Sequence, residues 1–436
     1  MKIAYFSPMP PLETGVSDYS RELLGELVRR AEVDLWIDQE LEGPPPAGCG
    51  IFHWREASNL TADLSRYDSV LYHLGNSRHH RAVYQAFLEY PGVVVMHDFV
   101  MHHFFVEYYL AFARSPAKYT EEMEYNYGVA GRLHAQDVFA GTGLPPWEID
   151  PLGFPLNKRV LDLAKGVIVH SEFARQLVRQ THPQLPIAKI NLFSGGLPTT
   201  EGIRELKLRY RLPTDRIIIA SVGFATPAKR IDTIFRALKR LKNNQFIFLL
   251  VGEINPAVET TVRNAGLGDR IRTTGYLSRE AFDDYCRVSD ICVNLRYPTT
   301  GETSASVCKV LGGGKACIVS DVGWFSELPD DCVAKVDIDE SEEDILVGYL
   351  DKLMADEALR TRMGANAQKY IQENHSVQTA ADQYVEFLHE VIIATREREL
   401  DSAIVAEVAR HMVGLGATDD DHDFIEAAAH IIARRL

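Results

Sequence analysis

The sequence predicts an α/β fold of two Rossmann-like domains, each with an open parallel sheet, facing each other across a cleft and followed by a helical tail. Three observations lead there. The chain has 436 residues, too many for one ordinary compact core. Short apolar strands alternate with helical segments in both halves. A Gly195-Gly196 turn separates the halves, and the same alternation then begins again. Strands connected in this way lie parallel, because right-handed crossovers cover both faces of the sheet with helices. Such sheets bind ligands outside the carboxyl ends of their strands.

In the first half, residues 2–7, 33–37, 69–74, 93–96 and 166–170 read as strands, and residues 19–30 as a helix. In the second half the strands are expected at 217–222, 246–251, 271–274, 291–295 and 316–320, with a helix at 231–241. This divides the chain into a first domain over 1–198, a second over 199–385 and C-terminal helices over 386–436 that pack back on the first domain. Residues 99–157 break the alternation and are expected to form a helical insertion. Its aromatics, Phe104, Phe105, Tyr108, Tyr109 and Phe112, read either as domain core or as a wall for a ligand, a lipid-linked one included. The acidic run Asp419, Asp420 and Asp421 near the end reads as a solvated cap.

Composition narrows the function classes. Hydrophobic residues make up 46% and charged residues 25%, as in ordinary globular proteins. A formal charge of −15 argues against a nucleic-acid partner, which requires a basic stripe. The six cysteines are scattered, without a CxxC pair, and read as reduced thiols. No apolar run approaches the ~18 residues that span a bilayer, and residues 1–6 are already strand-like, so a cytoplasmic location is expected.

Four segments could carry chemistry, all after strands. Gly15, between the first strand and first helix, allows close backbone approach at a helix N-terminus, where unpaired N–H groups favour anions. Lys229 and Arg230 precede the helix at 231, where the dipole disfavours cations; an anion between them, or a salt bridge to Asp232, resolves that conflict. Thr303 and Ser304 are suited to cap the next helix and present N–H groups to a diphosphate, with Glu302 placed to accept from sugar hydroxyls. His97 and Asp98 close the strand at 93–96, with His102 and His103 nearby; an acid/base pair, a structural pair and a metal site are the readings.

Taken together, Gly301–Lys315, Ile318–Pro329, the His97-Asp98 strand end and Val167–Phe173 resemble the retaining family 4 glycosyltransferases (glycosyltransferase group 1) of GT-B fold, from Met1 to about Leu388. The resemblance implies that the second domain holds a nucleotide-diphosphate sugar, GDP-mannose or a UDP-hexose, as co-substrate, with no further cofactor. The first domain would present a glycan or lipid-linked glycan acceptor, with peripheral contact at the inner membrane surface. Lys229 would bind phosphate, Thr303 and Ser304 would cradle the diphosphate, Gly275 and Tyr276 would meet the base, and His97 would stand beside the donor sugar. Phe224 stands where the family usually has arginine, and Arg230 is the candidate replacement. The Glu-x7-Glu pattern is absent: Gly301 and Lys309 occupy its two ends, with Glu302 one position later. With no Asp-x-Asp motif at a convincing strand end, a metal-independent reaction is expected, in which Lys229, Arg230 and two helix N-termini stabilise the leaving group. Asp98 would partner His97 or contact the acceptor.

Three rivals remain at this stage. A nucleotide-sugar 2-epimerase needs more carboxylates near the sugar than these segments offer. An inactive nucleotide-sugar binding protein is compatible with Phe224 and Lys309. A dinucleotide-dependent dehydrogenase lacks its G-x-G-x-x-G fingerprint.

Overall fold

The computed structural model describes residues 1–12, 14–197 and 201–414. The acidic run at Asp419, Asp420 and Asp421 lies outside the described residues. The first sheet contains β1 (Lys2–Phe6), β2 (Glu32–Ile37), β3 (Gly50–His53), β4 (Ser69–Leu74), β5 (Val93–Met96), β6 (Gly166–Val169) and β7 (Ile187–Lys189). The second contains β8 (Ile217–Val222), β9 (Phe246–Val251), β10 (Ile271–Thr273), β11 (Ile291–Asn294), β12 (Ala316–Ser320) and β13 (Val333–Val336). Strand order is β3-β2-β1-β4-β5-β6-β7 in one and β10-β9-β8-β11-β12-β13 in the other. The expected pair of α/β sheets is therefore present.

Both sheets are parallel throughout, and the local sequences show why. Runs such as Val93–Met96 and Phe246–Val251 are buried along their whole length, as a sheet covered on both faces requires. Covering helices carry one apolar stripe. In Ile231–Arg240, Ile231, Ile234, Phe235 and Leu238 recur at helical spacing and are buried, while Asp232 and Arg236 pair on the outside. Each fully buried side chain of this size contributes roughly 2 kcal/mol.

The C-terminal helix Val377–Gly414 runs back onto the first sheet's side of the molecule. The Tyr384 hydroxyl lies 2.8 Å from that of Tyr19 on the helix Gly15–Leu27. A side chain at Gly166 would collide with Val391, so β6 and this helix meet backbone to side chain. The Glu327 carboxylate, from the second sheet's side, accepts from the backbone N–H groups of Glu172 and Phe173 at 2.9 and 2.7 Å, capping the helix that follows β6. No described helix is long and apolar enough to cross a membrane. The six cysteines are free thiols, five of them buried.

Between β5 and β6 the chain is helical: His102–Val106, a π-helical turn Glu107–Phe112, Pro116–Ala140 and Pro146–Ile149. Its aromatic run divides between core and surface. Phe104 and Phe105 are buried core, whereas Phe112 is exposed.

Candidate active site

Both sheets reverse direction of winding at one point, β1/β4 in the first and β8/β11 in the second, and it is outside the strand ends at such a point that sheets of this kind form their ligand crevice. The loop after β8 carries Lys229, and the loop after β11 carries Glu302, so topology alone brings these two segments side by side. Gly223 starts the β8 loop with φ +83°, a conformation that favours glycine. A Cβ there would stand 3.3 Å from both Lys229 Nζ and Ser306 Oγ. Lys229 is 3% exposed, and its ammonium donates to the Val222 carbonyl. Among the described residues no carboxylate pairs with it. Burial, and then the positive charge of Arg296, push its pKa down to about 7.

Ser304 caps the helix Ala305–Gly312, accepting from the Val307 N–H at 3.3 Å, with its hydroxyl 3.1 Å from that of Ser306. Thr303 is half-buried just before it. A lone buried ammonium, two serine hydroxyls and a helix N-terminus thus surround Gly223, an arrangement made for an anion.

The neighbouring strand ends continue this surface in backbone. Gly252 (φ +123°) pairs with Gly275 (φ +69°) through an antiparallel bridge, and a Cβ on Gly252 would lie 3.0 Å from the Gly223 carbonyl. Tyr276 follows, exposed. Gly15 opens the first helix behind the Thr14 cap, and a Cβ on it would meet nothing within 4 Å.

Glu302 is held rather than free. Its Oε2 accepts from Thr299 Oγ1 at 2.9 Å, Thr300 N at 2.8 Å and Thr300 Oγ1 at 2.9 Å, and its Oε1 lies 2.9 Å from Arg296 Nε. Across the crevice Asp98 accepts from Asn76 N at 3.0 Å and lies 3.4 Å from Thr300 Oγ1. Burial, with the charge of Glu302 adding to it, raises the Asp98 pKa to about 6.

Three of the residues singled out in the sequence are engaged in ways their spacing did not reveal. Arg230 sits in the left-handed region (φ 50°) and forks onto the buried Glu342 carboxylate, with Nε 2.6 Å from Oε1. Lys309 is paired with the buried Asp283. His97 has both ring nitrogens occupied, with Nε2 3.1 Å from His73 Nδ1 and Nδ1 3.3 Å from His170 Nε2, while Tyr19 meets its ring edge-on. His102 bonds Tyr119 and the Phe154 carbonyl, away from that row. Among the described residues no group of three or more His, Cys, Asp or Glu side chains is placed to hold a metal ion.

Arg296 was not singled out in the sequence. It contacts Glu302, and its charge bears on both Lys229 and Asp98. Its signal was its place two residues after β11, at the carboxyl edge of the sheet.

Comparison with known proteins bears on the family and the fold. Residues 203–370 match the family described as Glycosyl transferases group 1. The alpha-D-kanosaminyltransferase of Streptomyces kanamyceticus is 24% identical over 254 residues, which is 56% of this chain and 64% of the relative, so the match leaves more than a third of that relative uncovered. In fold, the chain is similar to a sucrose-phosphate synthase from Thermosynechococcus elongatus (TM-score 0.65, 19% identity, 90% of this chain and 100% of that one). It is also similar to Anabaena HepE, solved in complex with UDP and glucose (TM-score 0.59, 16% identity, 89% and 100%). Sequence match and architecture converge: residues 203–370 match the glycosyl transferases group 1 model, and the chain that carries them has the GT-B fold.

Proposed function

We propose that this chain is a retaining, metal-independent glycosyltransferase that moves a hexosyl group from a nucleotide-diphosphate sugar to a hydroxyl of a glycan or lipid-linked glycan. Bacterial polysaccharide or glycoconjugate synthesis, in the cytoplasm at the inner membrane surface, is the setting that fits such an acceptor. The observation that carries the reading is Lys229: a buried ammonium with no carboxylate partner among the described residues, beside Gly223 and Ser306 at a helix N-terminus. Leaving a cation unpaired there is costly unless an anionic ligand completes it.

The residues divide the work as follows. The bond from the anomeric carbon to the β-phosphate oxygen breaks, and its electron pair stays on the phosphate. Lys229, the start of the helix Ala305–Gly312 and the cation Arg296 stabilise that growing charge. The acceptor oxygen joins the anomeric carbon on the same face, and its proton passes to the departing phosphate. Glu302, fixed by Arg296 and two threonines, orients the sugar, and Asp98 faces it from the first domain. The paving of Gly252 and Gly275, with Tyr276 beside it, suits a flat base, and Gly15 leaves room for backbone contact. The UDP bound by HepE favours a UDP-hexose as the first donor to try, with GDP-mannose second.

Calorimetric titration of the protein with UDP and GDP, in EDTA, tests the reading. A nucleotide present at a hundred times its Kd stabilises the fold by about 2.7 kcal/mol, easily seen as a rise in Tm. Failure of both nucleotides to bind would remove the donor site.

A further inference from the structure

A second cavity, of about 260 Å³, opens on the first domain between the segment after β4 and the π-helical turn Glu107–Phe112. Phe104, Tyr108, Ala111 and Phe112 line its apolar side, and Arg78 and Arg81 its charged side, with Glu107 at the rim. We propose that this cavity is the acceptor site, and that it takes an acceptor whose apolar body carries a phosphate-type anion.

Four observations converge on it. First, neither Arg78 nor Arg81 has an ion-pair partner among the described residues, in a chain of net charge −15 where carboxylates are plentiful. Second, the Arg81 guanidinium lies 4.0 Å from the centroid of the Phe112 ring, and its Nε is buried without a hydrogen-bond partner. A guanidinium N–H buried without an acceptor is costly until an anion meets it. Third, Arg81 opens the helix Arg81–Glu89, whose first turn holds no acidic residue, so the helix end adds to the positive potential instead of offsetting it. Fourth, the aromatic wall depends on an irregularity. Ala113 N–H bonds the Tyr108 carbonyl five residues back, and this single wide turn sets Phe112 over Arg81. Such turns are frequent at functional sites.

The cavity also connects to the site described above. Asn76 donates its backbone N–H to Asp98 and accepts from the backbone N–H of Phe104, at 3.0 and 2.9 Å. One residue therefore ties the crevice carboxylate to the cavity wall. The volume is below that of a typical pocket for a whole small molecule, so it holds one end of a larger ligand. Phosphate esters on an apolar body satisfy both walls at once: oxyanion on the two arginines, apolar portion on Phe104, Tyr108 and Phe112. The Glu107 carboxylate remains to accept from a hydroxyl.

The word acceptor rests on the transferase reading, whereas the anion site stands on the cavity itself, and the test separates the two. Phenyl phosphate is titrated into the full chain with the donor crevice saturated by UDP or GDP, and again into Lys229→Met, in which phosphate binding at the donor crevice is impaired. Phenyl phosphate is expected to bind in both, and Arg81→Gln and Arg78→Gln are each expected to weaken it about tenfold while leaving nucleotide binding intact. Cosedimentation with phosphatidylcholine vesicles, with and without phosphatidic acid, distinguishes the sources. Retention only on the phosphatidic acid vesicles, lost in Arg81→Gln, assigns the anion to a lipid headgroup; binding of phenyl phosphate alone assigns it to a soluble acceptor. Absence of both bindings, or equal binding by wild type and both arginine variants, overturns the proposal. Loss of nucleotide binding with phenyl phosphate binding retained would sink the transferase reading and leave the anion site standing.

Discussion

Thr300 of the second domain closes onto Asp98 of the first, with its hydroxyl 3.4 Å from the Asp98 carboxyl, while the Thr300 carbonyl accepts from Val100 N–H at 2.9 Å. The same hydroxyl is 2.9 Å from Glu302, so one hydrogen faces two carboxyl groups. Asp98, buried and facing the charge of Glu302, is pushed up to about 6. If ionised Asp98 is the working form, turnover falls as pH drops through about 6. Asp98→Asn should remove that acid limb and lower turnover on the order of a hundredfold. Thr300→Val removes a donor that favours the charged form, so the limb should move to higher pH. A limb that stays in place in Thr300→Val separates Asp98 from the titration.

Lys229 makes the opposite shift, with its pKa lowered to about 7 by burial and by Arg296. A diphosphate arriving beside it restores the charged form, so nucleotide binding should take up a fraction of a proton near neutral pH and weaken as pH rises above about 7. Calorimetry in buffers of different ionisation enthalpy reads that uptake directly. The sign for stability also follows. Between pH 7 and the unfolded value of 10.5 the unfolded chain binds more protons at this group, so stability rises with pH across that window. Lys229→Met should flatten the rise, leave Tm at neutral pH unchanged or higher, and cost roughly a hundredfold in turnover.

Two arginines separate support from chemistry. Arg230→Gln leaves the Glu342 carboxylate buried without its fork, and should cost about 3 kcal/mol of stability with little change in nucleotide affinity. Arg296→Gln should do the reverse: a modest change in Tm, a raised Lys229 pKa because a neighbouring positive charge is gone, and a clear loss of turnover. Equal loss of nucleotide binding in both variants would restore Arg230 to the donor site.

The fold was legible wherever the strands were long and buried. Ile217–Val222 and Phe246–Val251 carry an apolar run that a doubly covered sheet needs, and they pair along their full length. The three strands not read from the sequence are all short and peripheral: Gly50–His53 exposes Ile51 and Phe52, Ile187–Lys189 has three residues, and Val333–Val336 forms the far edge of its sheet. In the candidate site, spacing singled out Lys229, Ser304 and Glu302 because each follows a strand. What spacing does not encode is the partner of a charge. Glu342 is 112 residues from Arg230 and Asp283 is 26 from Lys309, so both pairings became visible only in three dimensions.

The histidine row lies beyond sequence reasoning for the same reason, since His73, His97 and His170 come from three strand ends. Its protonation is fixed from one end. His170 Nδ1 is 2.8 Å from the Ile190 carbonyl, which only accepts, so the hydrogen is on Nδ1 and Nε2 accepts from His97 Nδ1. His97 Nε2 then accepts from His73 Nδ1, and His73 Nε2 is left buried without a partner. All three rings are neutral. Burial lowers His170 to about 4 and puts His73 and His97 well below the usual 6.5, and His80, which donates to the His73 carbonyl, is also lowered to about 4. The unfolded chain takes up protons at these groups as pH falls below 6.5, so their contribution to stability is complete above that value and is lost toward pH 4. Each contributes up to about 1.4 kcal/mol per pH unit. Asp98, raised to about 6, offsets one of them between its unfolded value of 3.8 and 6. His170→Gln should therefore lower stability at pH 7 by about 1 kcal/mol through lost hydrogen bonds, yet reduce the acid slope by the share of one histidine. Denaturant unfolding at a series of pH values between 4 and 7 measures both, and an unchanged slope would mean that His170 is protonated in the folded chain and that the row is a charged one.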